Sequence, residues 1–151
     1  LEAIEHCISF LSGKAAQNIS RLSRERLSRC GLTPIQFAVL QALKQTPGLN
    51  ATELGDVLVI DSATITGVID RLCRMGTLVR SPDAKDRRIN RLSLTGRGTA
   101  VVADAGEVMD RINREVADAF GPDAARLWQF LERLAAFHPE KAAAEQDAKH
   151  V

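Results

Sequence analysis

The sequence predicts a mainly α-helical chain with one small β-hairpin, and three observations carry that reading. Apolar residues recur every three to four positions over long stretches at both ends of the chain. Between them lie three shorter helical patterns, each opened by a capping residue. After these, "VRSPDAKDRRINRLSLT" at 79–95 sets two short alternating runs around a loop dense in charge. At 151 residues the chain is long enough for one domain with a substantial core.

The first helix is expected from about Glu2 to Arg29, with Ile4, Ile8, Leu11, Ala15, Ile19 and Leu22 as its apolar stripe and Gly31 as its stop. In "TPIQFAVLQAL", Thr33 is a candidate N-cap, Pro34 the first helical residue and Gln36 the reciprocal capping partner. Phe37, Leu40 and Leu43 then face one side, and Pro47-Gly48 ends this second helix. "NATELGDVL" repeats the device with Asn50 and Glu53, opening a short third helix that runs to about Leu58. Asp61 or Ser62 caps a fourth helix, which Gly76 terminates.

Two short helices joined by a tight turn, the second with a distinct polar face, form a helix-turn-helix pattern. In the fourth helix Ile65, Val68, Ile69, Leu72 and Met75 point inward. Ser62, Thr64, Thr66, Gly67, Asp70, Arg71 and Arg74 are left outward or on the flanks. Small hydroxyl residues in a first turn can approach base edges and phosphates, and a helix N-terminus favours anions.

"TLVRS" and "RLSLT" alternate as two antiparallel strands, with Leu92 and Leu94 on one face and Arg91, Ser93 and Thr95 on the other. The connection from Pro82 to Asn90 is longer than an ordinary hairpin loop, which argues for a functional extension. A hairpin directly after a helix-turn-helix is a wing. Its basic tip, Lys85, Arg87, Arg88 and Arg91, suits a minor groove beside the major groove occupied by the fourth helix.

Charge supports this arrangement. The formal net charge is only +1, yet residues 71–97 hold eight arginines and lysines against Asp83 and Asp86, a local excess of +6 that leaves about −5 elsewhere. Such segregation points to a polyanion at one surface, although a solvated charged face would look the same by charge alone.

A fifth helix from Gly96 carries Val101, Ala105, Val108, Met109, Ile112, Val116 and Phe120 as its stripe and stops at Gly121-Pro122. A sixth carries Leu127, Trp128, Leu131, Leu134 and Phe137 before Pro139. The expected organisation is a single domain over 1–151. Its winged helix-turn-helix lobe covers 30–98, dimerisation helices cover 1–29 and 99–138, and a polar tail follows at 139–151. The long terminal helices lack an obvious partner within the chain for their full apolar length; wrapping the central block is one arrangement, and a two-fold dimer matched to a pseudo-palindromic DNA site is the expected one.

In this order of elements the chain resembles the MarR family of bacterial winged-helix transcriptional regulators. The residues that carry the resemblance are the D-x-A-T-I-T-x-x-I-D-R-L helix at 61–72, the turn at Gly76, the D-x-x-D-R-R wing at 83–88 and the L-T-x-x-G exit at 94–98. The resemblance implies an obligate homodimer that binds double-stranded DNA. By position, Ser62, Ala63, Thr64 and Gly67 would face the bases, Arg88 would enter the minor groove, and Asp61 would brace that arginine. Gly67 departs from the pattern, since relatives often carry a long basic side chain there.

The resemblance further implies a regulator, typically a repressor, released from its operator by a small-molecule effector such as a phenol or aromatic carboxylate. Candidate lining residues are His6, Phe10 and Lys14, spaced four apart on the first helix, and Phe37 on the second. The bland alternative places His6 and Lys14 in solvent and Phe10 and Phe37 in the core. An alternative mode, oxidant sensing through Cys7, would need a donor or cation to lower the thiol pKa, and His6 is the local candidate. Cys73 is expected to be a small buried hydrophobe.

Other classes are disfavoured. The three cysteines form no C-x-x-C or zinc-finger spacing, so neither a disulfide scaffold nor a metal site is expected, and a reducing cytoplasm is the simplest compartment. No apolar run approaches the ~18 residues of a membrane span, and no secretory leader pattern opens the chain. There is no G-x-S-x-G, phosphate-cradling glycine loop or H-E-x-x-H, and the histidines sit at positions 6, 138 and 150, so neither enzymatic activity nor a cofactor is expected. A winged-helix protein-interaction module is opposed by the arginine-rich wing, because protein interfaces deplete charge at their centre.

Overall fold

The computed structural model describes residues 4–138. The expectations for Glu2 and for the tail at 139–151 lie outside the described residues. Two compact units divide the chain near Asp110.

The first unit holds the helix-turn-helix and the hairpin. A single 3-10 turn at Ile4–His6 precedes α1, Ile8–Leu27. The expected continuous first helix is therefore broken at Cys7, whose backbone is extended (φ −78°, ψ 119°) and which stands at the N-cap position of α1. The apolar period runs straight through this break, so periodicity could not reveal it. A short 3-10 turn at Ser28–Cys30 leads to Gly31, which takes the left-handed conformation (φ 67°) that ends the segment.

Helix α2, Pro34–Gln45, opens with the full capping box of Thr33 and Gln36, and α3, Ala51–Leu58, opens with that of Asn50 and Glu53. Helix α4 spans Ser62–Arg74, and Asp61 rather than Ser62 is its cap. Between α3 and α4, Val59 holds φ 54°, a left-handed conformation that costs a β-branched residue about 1–2 kcal/mol. Its side chain is 91% exposed, so no packing offsets that strain. The tight connection keeps α3 and α4 as neighbours, with Ile60 N–H donating back to Gly55 carbonyl.

Strands β1, Leu78–Pro82, and β2, Asn90–Leu94, pair antiparallel with Arg80 opposite Leu92. Leu92 also exchanges backbone hydrogen bonds with Gly48 and Leu49, which fixes the hairpin base to the segment entering α3. Helix α5, Gly96–Phe120, follows at once. The core of this unit gathers Leu27, Val39, Leu40, Leu43, Leu54, Ile65, Ile69, Leu72, Leu78, Leu92, Val102 and Ala105. The expected stripes of α2 and α4 lie in or against this core, while in α5 the fully buried valine of the first turns is Val102, with Val101 only half-buried.

The second unit contains the end of α5, a 3-10 turn at Gly121–Asp123 and α6, Ala124–Ala135. Helix α6 stops two residues short of Phe137. Leu127 and Trp128 are half-buried, whereas Phe130, Leu131, Leu134 and Phe137 are exposed. Among the described residues no helix is long and apolar enough to cross a membrane.

Candidate nucleic-acid interface

The amphipathic pattern of α4 turns one face into the core and leaves Ser62, Ala63, Thr64, Thr66, Gly67, Arg71 and Arg74 exposed on the other. Asp61 fixes the first turn. Its carboxylate accepts the Thr64 backbone N–H at 2.9 Å through Oδ1 and the Thr64 hydroxyl at 2.6 Å through Oδ2. These bonds, the hydroxyl's first, hold the Asp61 carboxyl below the usual range, so it is ionised at neutral pH. One turn on, the Thr66 hydroxyl donates to the Ser62 carbonyl at 2.7 Å. A Cβ on Gly67 would meet nothing within 4 Å, so packing does not require glycine there.

The hairpin tip is a seven-residue loop, Asp83–Ile89, narrower than the Pro82–Asn90 span expected because those two residues pair as the last rung of the ladder. It is ordered by two aspartates. Asp83 Oδ1 accepts the backbone N–H groups of Lys85 and Asp86, at 2.7 and 3.2 Å. Asp86 accepts the backbone N–H of Arg88 and then its guanidinium, Nε at 3.1 Å and Nη2 at 3.1 Å. Asp83 N–H donates to the Ile89 carbonyl, closing the loop. Lys85, Arg87 and Arg88 all project into solvent, Arg88 with a side chain 90% exposed.

Two arginines on the hairpin behave differently from those at the tip. Arg80 on β1 pairs with Asp70 on α4 at 2.5 Å, tying the strand to the helix. Arg91 on β2 is half-buried and does not project with the tip. Its Nε donates to Asp83 at 2.6 Å, while Nη1 donates to Glu53 of α3 at 2.9 Å and to the Gly48 carbonyl at 3.2 Å. The Arg91 bond is the main reason that the Asp83 carboxyl is pushed down to about 2, the Lys85 and Asp86 N–H groups adding to it. Glu53, whose carboxylate also accepts the Asn50 N–H, is held low as well. Arg91 is therefore a structural tether between wing and α3, a role hidden from the sequence because its partners lie 8 and 38 residues away.

Asp61 requires a correction of the same kind. It does not brace Arg88: both of its oxygens serve Thr64, and Asp86 supplies the carboxylate to Arg88. The effector candidates stand on three elements. Phe10 and Lys14 stand one turn apart and exposed on α1, His6 belongs to the separate turn before Cys7, and Phe37 packs half-buried against the core. Cys73 is half-buried against that core.

An exposed helix with a small-residue first turn, flanked by a basic hairpin tied to it by Arg80, defines a winged helix-turn-helix DNA-binding protein. Comparison with known proteins agrees. A probable transcriptional regulator from Pseudomonas aeruginosa is 31% identical, with a TM-score of 0.81 over 87% of this chain and 99% of that one. The PcaV transcriptional regulator from Streptomyces coelicolor, solved in complex with its natural ligand, is 29% identical with a TM-score of 0.79, covering 89% and 94%. A MarR variant from E. coli complexed with operator DNA is 26% identical with a TM-score of 0.77, covering 85% and 92%. The MarR family model matches residues 32–89. The chain belongs to the MarR family and is a DNA-binding transcriptional regulator of that type.

Proposed function

We propose that the protein is a homodimeric, sequence-specific regulator, a repressor that leaves its operator when a small phenolic or aromatic acid binds. The observation that carries the DNA reading is the pairing of the exposed α4 face with three exposed cations, Lys85, Arg87 and Arg88, on a hairpin anchored to both α3 and α4. Ser62, Ala63, Thr64 and Gly67 then face bases, with Thr66, Arg71 and Arg74 beside them. Dimerisation is supported by apolar side chains left in solvent, Ile8, Leu11 and Ile19 on α1 and Phe130, Leu131 and Leu134 on α6. Effector release is supported by the solved PcaV–ligand complex and by the aromatic and cationic pair Phe10 and Lys14. A regulator of this kind performs no catalysis, needs no cofactor and works in the bacterial cytoplasm where its DNA lies.

The test is an anisotropy titration with duplex DNA from upstream of the gene and a scrambled duplex, over a salt series. Arg88→Ala is expected to weaken binding about tenfold and to reduce the salt slope by about one, because one groove-neutralising cation is lost. Unchanged affinity and slope would remove Arg88 from the interface.

A second reading, thiol-based oxidant sensing, is favoured by the setting of Cys7. Its thiol lies 3.1 Å from the Ser9 hydroxyl at the start of α1. That bond, followed by the Phe10 and Ser9 N–H groups, lowers the thiol pKa, a role for which the sequence offers His6. If Cys7 is the sensor, hydroperoxide releases the protein from DNA and Cys7→Ser resists that release. Equal loss of binding by both proteins would discard the thiol.

A further inference from the structure

The two threonine hydroxyl protons on the outer face of α4 are already committed. Thr64 donates to Asp61, and Thr66 donates to the Ser62 carbonyl. An ionised aspartate is an acceptor only, so the Thr64 hydroxyl must be the donor in that 2.6 Å bond. A hydroxyl has one proton and two lone pairs. With the proton turned back towards the protein, what remains for a partner is an acceptor and the γ-methyl group. Phosphate oxygens are acceptors too, so a threonine in this state gains nothing from a phosphate. In the major groove the hydrogen-bond donors are the exocyclic amines, N6 of adenine and N4 of cytosine.

We infer that Asp61 is a specificity-determining residue: by holding the Thr64 proton, it makes Thr64 a hydrogen-bond acceptor that selects adenine or cytosine at one position of each half-site. The inference rests on the reading that Thr64 faces bases and goes beyond it by fixing what Thr64 can recognise. Asp61 itself touches no base. It acts through Thr64, as a positioning residue whose charge state and chemistry set the polarity of its neighbour.

The distinguishing variant is Asp61→Asn. Asparagine caps helices as well as aspartate, so its carbonyl keeps the Thr64 backbone N–H. Its NH2 group then donates to the Thr64 oxygen and releases the hydroxyl proton outward, turning Thr64 from acceptor to donor. The wild-type protein, Asp61→Asn, Thr64→Val and Thr64→Ser are each used to select from a pool of duplexes with a randomised centre. Thr64→Val is expected to lose the preference at one position, and Thr64→Ser, which can still donate to Asp61, to keep it. Asp61→Asn is expected to move a selected cytosine to a base that offers an acceptor, by about tenfold, and to bind a selected adenine, where it is kept through its N7 acceptor, without dependence on the 6-amino group. Any general gain in affinity from removing a negative charge cancels in this ratio.

If Thr64→Val loses the preference while Asp61→Asn keeps the wild-type base together with its dependence on the exocyclic amine, the polarity inference is overturned and base reading by Thr64 stands. If Thr64→Val changes no position, base reading itself fails and the inference with it. Modified duplexes test the same polarity on the wild-type protein alone. At a selected adenine, a duplex carrying purine, which lacks the 6-amino group, is expected to bind the wild-type protein about tenfold more weakly. At a selected cytosine, the 4-amino-free analogue serves the same purpose. Equal binding of the normal and amine-free duplexes overturns the acceptor assignment.

Discussion

Gly98→Ala is expected to destabilise the DNA-binding lobe by about 3 kcal/mol or more, a large effect for the addition of one methyl group. A Cβ at Gly98 would lie 2.1 Å from the Thr77 carbonyl oxygen and 3.0 Å from its carbon. Both are backbone atoms, and they have little room to retreat. Thr77 is buried, its hydroxyl and its N–H both donate to the Leu72 carbonyl, and its own carbonyl accepts the Thr95 N–H. On the other side, the Thr95 hydroxyl donates to the Gly76 carbonyl and accepts the Gly98 N–H. The end of α4, the start of β1 and the start of α5 are thus locked at a single point where only hydrogen fits. Urea unfolding of Gly98→Ala beside Gly96→Ala checks this, because a Cβ at Gly96 meets nothing within 4 Å. Equal midpoints for the two variants would show that the junction yields.

The second large effect is on DNA binding, through a residue that does not reach outward. Arg91→Ala is expected to weaken operator binding by about tenfold or more, as truncating one partner of a partly desolvated charge network does at other interfaces. Removing Arg91 unties Asp83 from Glu53 and leaves the two carboxylates facing each other without their shared cation. The wing tip then loses its side-chain tether to α3, and the Arg80–Asp70 pair at the strand is left to hold the hairpin to α4. Unlike Arg88→Ala, this variant removes no cation from the exposed tip, so its affinity falls with a smaller change in salt slope. Arg91→Lys is expected to rescue only in part, because one ammonium cannot reproduce the guanidinium fork that reaches Asp83, Glu53 and Gly48 together. Faster amide exchange at Asp83 and Ile89 in Arg91→Ala would locate the loosening. Wild-type exchange rates together with wild-type affinity would rule the tether out.

The same network has a defined pH window. The Asp83 carboxyl is pushed down to about 2 from an ordinary value of 3.8, so its folded pKa is depressed. Its stabilisation is therefore fully present above about pH 4 and is lost as pH falls towards 2. The tether holds throughout the neutral range.

What is legible in the sequence is local. The caps at Thr33 and Asn50 and the stop at Gly31 each depend on residues within three or four positions, and all are present in the structure. The turn of α4 into its core face follows from a 3.6-residue period. What escapes depends on separation or on competition. Charge and proximity in sequence place Arg91 with the tip, whereas its pairing with Glu53 is decided by the register of β2 against α3. The family pattern assigns Asp61 to a distant arginine, but the N–H group and hydroxyl of Thr64, three residues away, are closer partners for its carboxylate. The break at Cys7 escapes because Ile4 and Ile8 keep the helical spacing across it. Thr95 and Gly98 are visible as a motif, though the carbonyl that makes the glycine necessary belongs to Thr77, 21 residues earlier.

The loop at the end of the hairpin is organised by its own carboxylates, Asp83 folding the chain over Lys85 and Asp86, and Asp86 folding it over Arg88. Its backbone freedom is lost when the protein folds, so complex formation has only the exposed Lys85 and Arg87 side chains of the tip left to order. The cations therefore arrive as a preformed prong rather than as a disordered arm that must fold on contact. Association by such a prong is limited by encounter and steering, and the heat-capacity change on binding reflects the surface covered, with no added contribution from ordering a segment.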